Sequence, residues 1–413
     1  LGKNNKKNNM PEQEYRFKQL EKKDKDFEVS YQNPEIDLPF KIEKMVFFKD
    51  PQGEFNLETH QNHHRASWFS PVGIKDKNNN IFFRIAMKGV GYLYSKYYAS
   101  KKDAYQGKDD EITLHKSKEY GWGYNVLGLF DKRNVTPLIE SANELTKAGL
   151  RCEAIAGAVN LEQVMLGGKK VDKKQLRVYL KEEGAKAGLS QKQLEDIDLF
   201  EPAEIIRLTR ETMRIKDFCE ENKKGKEEML QNVFRTLNLE NELKQDEKRY
   251  TTSEPESIKT YLQDTFKQAA INLAILHNGG KIMCYLNSGN MTLSLAEIVD
   301  LDSIISLNGK KLFLSPLIIN DPEWKIPKGI IKDTRDEIYA LGKMFLGGMC
   351  DLLSITKEDR QEFYRIFVEN YKSKLDVSAF RKNQIDSVLT ISMVDEFARK
   401  MILDNQTVSP IKV

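Results

Sequence analysis

The chain has 413 residues, enough for two lobes or domains with a core each. A formal net charge of +3 among 31% charged residues gives no strong global field, so charge does not call for nucleic acid or an anionic membrane as partner, although neither is excluded. No apolar run reaches the roughly 18 residues of a membrane span, and no secretory signal pattern is present. Cys152, Cys219, Cys284 and Cys350 are far apart and read as reduced thiols rather than a disulfide framework. A soluble cytoplasmic protein is expected, and delivery as a secreted bacterial effector is compatible with the Lys/Asn-rich text. The chain starts at Leu1 rather than Met, so a trimmed start is also expected.

Residues 1–25 carry little to bury and read as a disordered tail. Met45–Phe48 and Ile81–Met87 are apolar runs of strand length, and Asp76–Asn80 before the second reads as a turn. Residues 100–122 are polar and read as a loop insertion. Pro137–Ala148 predicts a helix, with Pro in its first turn and Gly149 just past its end. Arg151–Leu166 returns to strand-like text. From there helical spacing dominates, over 173–194, 202–222, 226–247, 255–278, 334–353, 357–373 and 377–404. No internal repeat is evident.

Several residues carry candidate chemistry. Lys88 ends the run Ile81–Met87 and precedes Gly89-Val-Gly91, so an ammonium could meet a phosphate where glycines let backbone come close. Glu140 and Glu144 lie one helical turn apart, and either could pair with Lys88; a solvated helix face is the plainer reading. Arg207, Arg210 and Arg214 fall in the expected helix 202–222, where a spacing of seven would put Arg207 and Arg214 on one face towards one anion. The plainer reading is a basic surface helix balanced by Glu201, Glu204, Glu211 and Asp217. Asn290 sits in a polar loop, and Asp300 follows after an apolar stub. That is the order in which kinase-type sites present an Asn and an Asp to magnesium on nucleotide phosphates. Where such a site reads His-Arg-Asp, this chain reads Met283-Cys284-Tyr285. His60, His63 and His64 lack further ligands at zinc spacing and read as a polar loop. Tyr92, Tyr94, Tyr97 and Tyr98 read as packing, with a base-stacking surface as the minor alternative.

Together these stretches resemble the selenoprotein O family of pseudokinases, which transfer AMP from ATP to protein hydroxyls. Met87-Lys-Gly-Val-Gly91 resembles its Leu-Lys-Gly-Ala-Gly strand motif, and Ile206–Phe218 resembles the segment holding its two phosphate-contacting arginines. Asn287-Ser-Gly-Asn-Met-Thr292 resembles its Asn-Thr-Asp-Asn-Met-Ser loop, and Val299-Asp-Leu-Asp302 its Ile-Asp-Tyr-Gly. The match runs in patches over roughly residues 58–303. It implies an α+β, two-lobed protein-kinase-like fold, with a β-containing N-lobe over 26–170 and a mainly helical C-lobe over 171–413. It further implies Mg-ATP (or the manganese form) as nucleotide, and a protein acceptor. Lys88, Arg207 and Arg214 would contact phosphates, and Asn290 and Asp300 would hold the metal. The helix Glu falls near Glu140, with Glu144 open. The family's Asp just before the metal-binding Asn is Gly289 here, which leaves Asp302 as the nearest candidate base, and the family's C-terminal cysteine feature is absent.

Overall fold

The computed structural model describes residues 16–22, 25–50, 52–60, 65–91, 112–115, 125–283, 286–306, 328–382 and 387–405. Cys284, Tyr285, His63, His64 and the tyrosines at 92, 94, 97 and 98 lie outside the described residues. So does most of the expected insertion at 100–122, although within it Thr113–His115 forms a strand pair with Asn125–Leu127.

The main sheet is antiparallel. Its order runs Phe27–Gln32, Ala154–Leu161, Pro202–Thr209, Ile81–Lys88, Arg65–Lys75, Glu58–His60, with the short Phe130–Asp131 pairing beside Pro202–Thr209. Ile81–Lys88 is launched by the expected turn. Asp76 Oδ1 accepts the N–H groups of Asn78 and Asn80 at 2.9 and 2.8 Å, and Asn79 takes the left-handed conformation that Asn tolerates. The helix Val135–Lys147 forms where its apolar spacing predicts, burying Leu138, Ile139, Ala142 and Leu145. It stops at Gly149 (φ +85°), and Leu150 N–H returns to Leu145 O.

Two expectations need correction. Residues 16–19 belong to no tail. They form a strand between Phe47–Lys49 and Phe55–Asn56, with Phe17 fully buried. The expected helix 202–222 is the strand Pro202–Thr209, then a connecting stretch and the short helix Ile215–Glu220. All eight residues of that strand are buried, so its run of apolar side chains lacks the alternation that marks a half-exposed strand. The strand lies in the same sheet as Ile81–Lys88, so the β-containing part extends past residue 170.

Among the described residues, buried apolar side chains fall into two clusters. One is built mainly from strands and runs from Phe17 to Leu208. The other is mainly helical, reaches Ile402, and includes the inner side of Val135–Lys147. Its spine is the 24-residue helix Pro255–Asn278, with Pro at its first turn, against which Lys357–Lys374 packs through the stacked rings of Phe266 and Phe363, 5.3 Å apart. This mixed helix and sheet content is that of an α+β fold. Among the described residues, no helix is long and apolar enough to cross a membrane.

Candidate active site

Lys88 stands at the end of its strand, opposite Ile205. Gly89 follows at φ +105°, and a Cβ there would stand 2.4 Å from the Ala203 carbonyl oxygen. The glycine is therefore required for the chain to leave the sheet so close to its neighbour. Arg207 lies two residues further along that partner strand, opposite Ala86 on one side and Ile155 on the other, and is 0% exposed. Arg214, also buried, ends the connecting stretch, where its backbone bridges to Thr292 and its N–H is accepted by Asp217 at 3.1 Å.

The loop that carries Asn290 is folded back on itself. Met291 bridges to Ile298, Thr292 N–H donates to Glu297 O, and Val299 N–H donates to Asn290 O at 3.0 Å. The turn between them holds Leu295 and Ala296 at φ +54° and +52°, a conformation non-glycine residues rarely accept. Buried Glu297 holds this hairpin to the arginine strand by accepting Arg210 N–H at 3.0 Å. Asn290 and Asp300 thus stand at neighbouring ends of one narrow hairpin. Asp300 itself is left-handed (φ +66°, ψ +45°), and Leu301–Ser303 turns away after it.

The cations converge on that turn. Lys88 Nζ donates to Asp302 Oδ2 at 2.7 Å and Asp300 Oδ1 at 3.3 Å. Arg207 Nη1 donates to Asp300 Oδ1 at 3.1 Å and to Glu153 at 2.9 and 3.1 Å, and its Nη2 stands 3.6 Å from Asp302. Arg214 Nη1 donates to Gly289 O at 3.2 Å, and its Nη2 lies 3.9 Å from Asp300. Lys88, Arg207, Arg214, Asn290, Asp300 and Asp302 are therefore brought together.

Three expectations change: the helix face for Arg207 and Arg214, the partner of Lys88 and the role of Asp302. Arg207 and Arg214 converge from a strand and a loop, not from one helix face. Arg210 turns elsewhere, into a buried network with Glu240 (3.2 Å) and Glu297 (3.0 Å) that also takes Arg151. Neither helix glutamate reaches Lys88: Glu140 is exposed, and Glu144 pairs with Lys281 at 2.8 Å. The lysine's partners are Asp302 and Asp300 instead. Burial works against ionisation of Asp302, but Lys88 and then Arg207 outweigh it and hold the carboxyl below its ordinary range. A carboxylate held down by a cation is a poor proton acceptor, so this geometry favours Asp302 as an anchor for Lys88 over the base role.

Sequence reasoning missed Glu153. Fully buried just ahead of Ala154–Leu161, it completes a set of three cations and three carboxylates. Its signal was a lone acid inside apolar text, Cys152-Glu-Ala-Ile-Ala156, which must find a cation if buried. Asp333 is a second omission. It accepts the N–H of Met283 beneath the loop, and burial pushes its carboxyl up to about 7.

Asn290 and Asp300 supply hard oxygen donors, and magnesium needs only one or two protein carboxylates beside nucleotide phosphates. Arg207 Nε and Nη2 are buried with no hydrogen-bond acceptor among the described residues, an arrangement a phosphate oxygen would complete. Among the described residues no cluster of three or more His, Cys, Asp or Glu forms a cage for a metal by itself. Two oxygen donors beside a cluster of cations fit a metal held jointly with phosphates.

No family model matches the chain, and no curated protein does. Among solved structures, it is similar to a Toxoplasma gondii chain described as a specific rhoptry antigen kinase domain. Identity is 10%, coverage 83% of this chain and 85% of that one, and the TM-score 0.32. A likeness of that size carries no argument about activity.

Proposed function

We propose that this protein is a nucleotidyltransferase of the selenoprotein O kind, moving AMP from Mg-ATP to a hydroxyl of a protein. The observation that carries the reading is the meeting of Lys88, Arg207 and Arg214 at Asp300 and Asp302, one hairpin strand from Asn290. Asn290 and Asp300 would hold magnesium, which when bound neutralises phosphate charge and fixes the phosphate chain. Lys88 and the two arginines would bind the β- and γ-phosphates. The acceptor oxygen forms a bond to the α-phosphorus, the bond from that phosphorus to the bridging oxygen breaks, and pyrophosphate departs with the charge the cations stabilise. The acceptor proton passes to solvent, since Asp302 is committed to Lys88.

Gly289, where the family has Asp, favours a second reading: an ATP-binding pseudokinase that acts as scaffold or regulator. An atypical protein kinase would need a base in reach of the γ-phosphate, and Tyr285 at the position expected for Asp argues against it. Incubation with ATP labelled at the α- or the γ-phosphate separates the three. Label from the α-position alone supports AMP transfer, label from the γ-position alone makes the protein a kinase, and binding without label leaves the pseudokinase. Asp300→Ala is expected to abolish metal-dependent transfer while keeping the fold; full activity in a folded variant would remove Asp300 from the site.

A further inference from the structure

Glu153 has no part in the reaction described above, yet it grips the site from two directions. Its oxygens accept from Arg207 Nη1 at 2.9 and 3.1 Å, and Oε1 also accepts Leu301 N–H, immediately after Asp300, at 3.0 Å. Its own N–H donates to Ile298 O at 2.9 Å, just before the same turn. Arg207 Nη1 is shared between Glu153 and Asp300. A guanidinium with no exposed surface requires a counter-charge wherever it goes. Without Glu153, Arg207 would keep only Asp300 at 3.1 Å and Asp302 at 3.6 Å, the latter already tied to Lys88 at 2.7 Å, so Arg207 and a divalent cation would compete for the Asp300 carboxylate.

We propose that Glu153 is a positioning residue that sets the metal dependence of nucleotide binding. It holds Arg207 independently of Asp300, so Asp300 can turn to the metal while Arg207 stays on the phosphates. The inference rests on the nucleotide-site reading. Its consequence is a split that a packing role would not produce. Removing this carboxylate makes the pocket one charge more positive, which favours metal-free ATP. It also leaves Asp300, at 3.1 Å against 3.6 Å for Asp302, as the nearest anion to Arg207, which weakens the help the metal gives.

The test is calorimetric ATP affinity of the full chain, with magnesium and with chelator, for the wild type, Glu153→Gln and Glu153→Asp. Thermal midpoints confirm folding. In the wild type, magnesium is expected to tighten binding about tenfold or more. Glu153→Gln should reduce that ratio to about threefold or less while binding metal-free ATP at least as tightly as the wild type. Glu153→Asp, with its charge kept, should retain most of the ratio. An unchanged ratio in Glu153→Gln, or parallel weakening with and without metal, overturns the proposal and leaves the nucleotide site standing. If Glu153→Gln does not fold, Glu153→Met, which also removes the charge, decides by the same outcomes: a reduced ratio with metal-free affinity kept supports the proposal, and an unchanged ratio or parallel weakening overturns it. A folded wild type that binds no ATP, or binds it no better with magnesium, removes the nucleotide-site reading and this inference with it.

Discussion

Replacing Arg207 by methionine tests whether the centre of the site is an ionic cluster that is costly to break or a set of contacts that can be lost singly. The side chain is 0% exposed, and so is that of its partner Glu153. Breaking a buried pair by removing one member leaves the other as an uncompensated charge, a cost of about 3–5 kcal/mol. At about 2 °C per kcal/mol, that lowers the thermal midpoint by about 6–10 °C. Adding Glu153→Gln removes the stranded charge and keeps an oxygen for Leu301 N–H, 3.0 Å away in the parent. Most of the lost stability should therefore return in the double variant. Nucleotide affinity should not return, because a charge-assisted contact to phosphate, worth about 1.5–3 kcal/mol or about 10–150-fold in Kd, is missing from both variants. Thermal unfolding and calorimetry on the two single variants and the double one give the whole cycle. A single Arg207→Met variant that loses under about 1 kcal/mol would refute the buried-pair argument. Recovery of ATP affinity in the double variant would refute the placement of Arg207 on the phosphates.

Asp333 gives a pH signature. Its folded-state carboxyl lies near 7, against an ordinary value of 3.8, so between those values the folded chain holds a proton that the unfolded chain lacks. This group's contribution to stability therefore falls as pH rises from about 4 to about 7. Asp333→Asn should flatten the midpoint-versus-pH curve over that window and gain most above it; an unchanged slope would show that the carboxyl is ionised throughout. Buried His277 acts in the opposite sense. Burial lowers it to about 3, so its contribution rises with pH between about 3 and 6.5. Gly289→Asp should fold normally, since φ there is not in the left-handed region and a Cβ meets only Asn287 Oδ1 at 3.1 Å. A midpoint drop of more than about 5 °C would contradict that geometry. Glu140→Gln should leave stability within about 0.5 kcal/mol and ATP affinity unchanged, as expected of an exposed side chain. A tenfold loss of affinity would restore the helix glutamate to the site.

What the sequence revealed follows from how local the controlling physics is. The Asp76–Asn80 turn, the helix Val135–Lys147 and the 24-residue helix Pro255–Asn278 were legible because caps, turn residues and one-sided apolar spacing act within a few residues. Pro202–Thr209 was not, because a central strand buried on both faces has no periodicity to distinguish it from a helix. That one error carried into the site. It placed Arg207 and Arg214 on a helix face and hid the sheet register that sets Arg207 between Ala86 and Ile155. The motif residues nevertheless met, since their identities follow from chemistry. The error over Lys88 is of another kind. A lysine at a strand end needs an anion, but sequence does not say which, because Glu140, Glu144, Asp300 and Asp302 are all chemically able to serve. The choice is made by the left-handed turn at Asp300, which swings Asp302 to 2.7 Å from the ammonium. A carboxylate two residues beyond Asp300 then ties Lys88 directly to the turn proposed to hold the metal. In the proposed site, the positions of Lys88 and Asp300 become a single structural variable, set by the turn Asp300–Asp302 rather than by the helix Val135–Lys147.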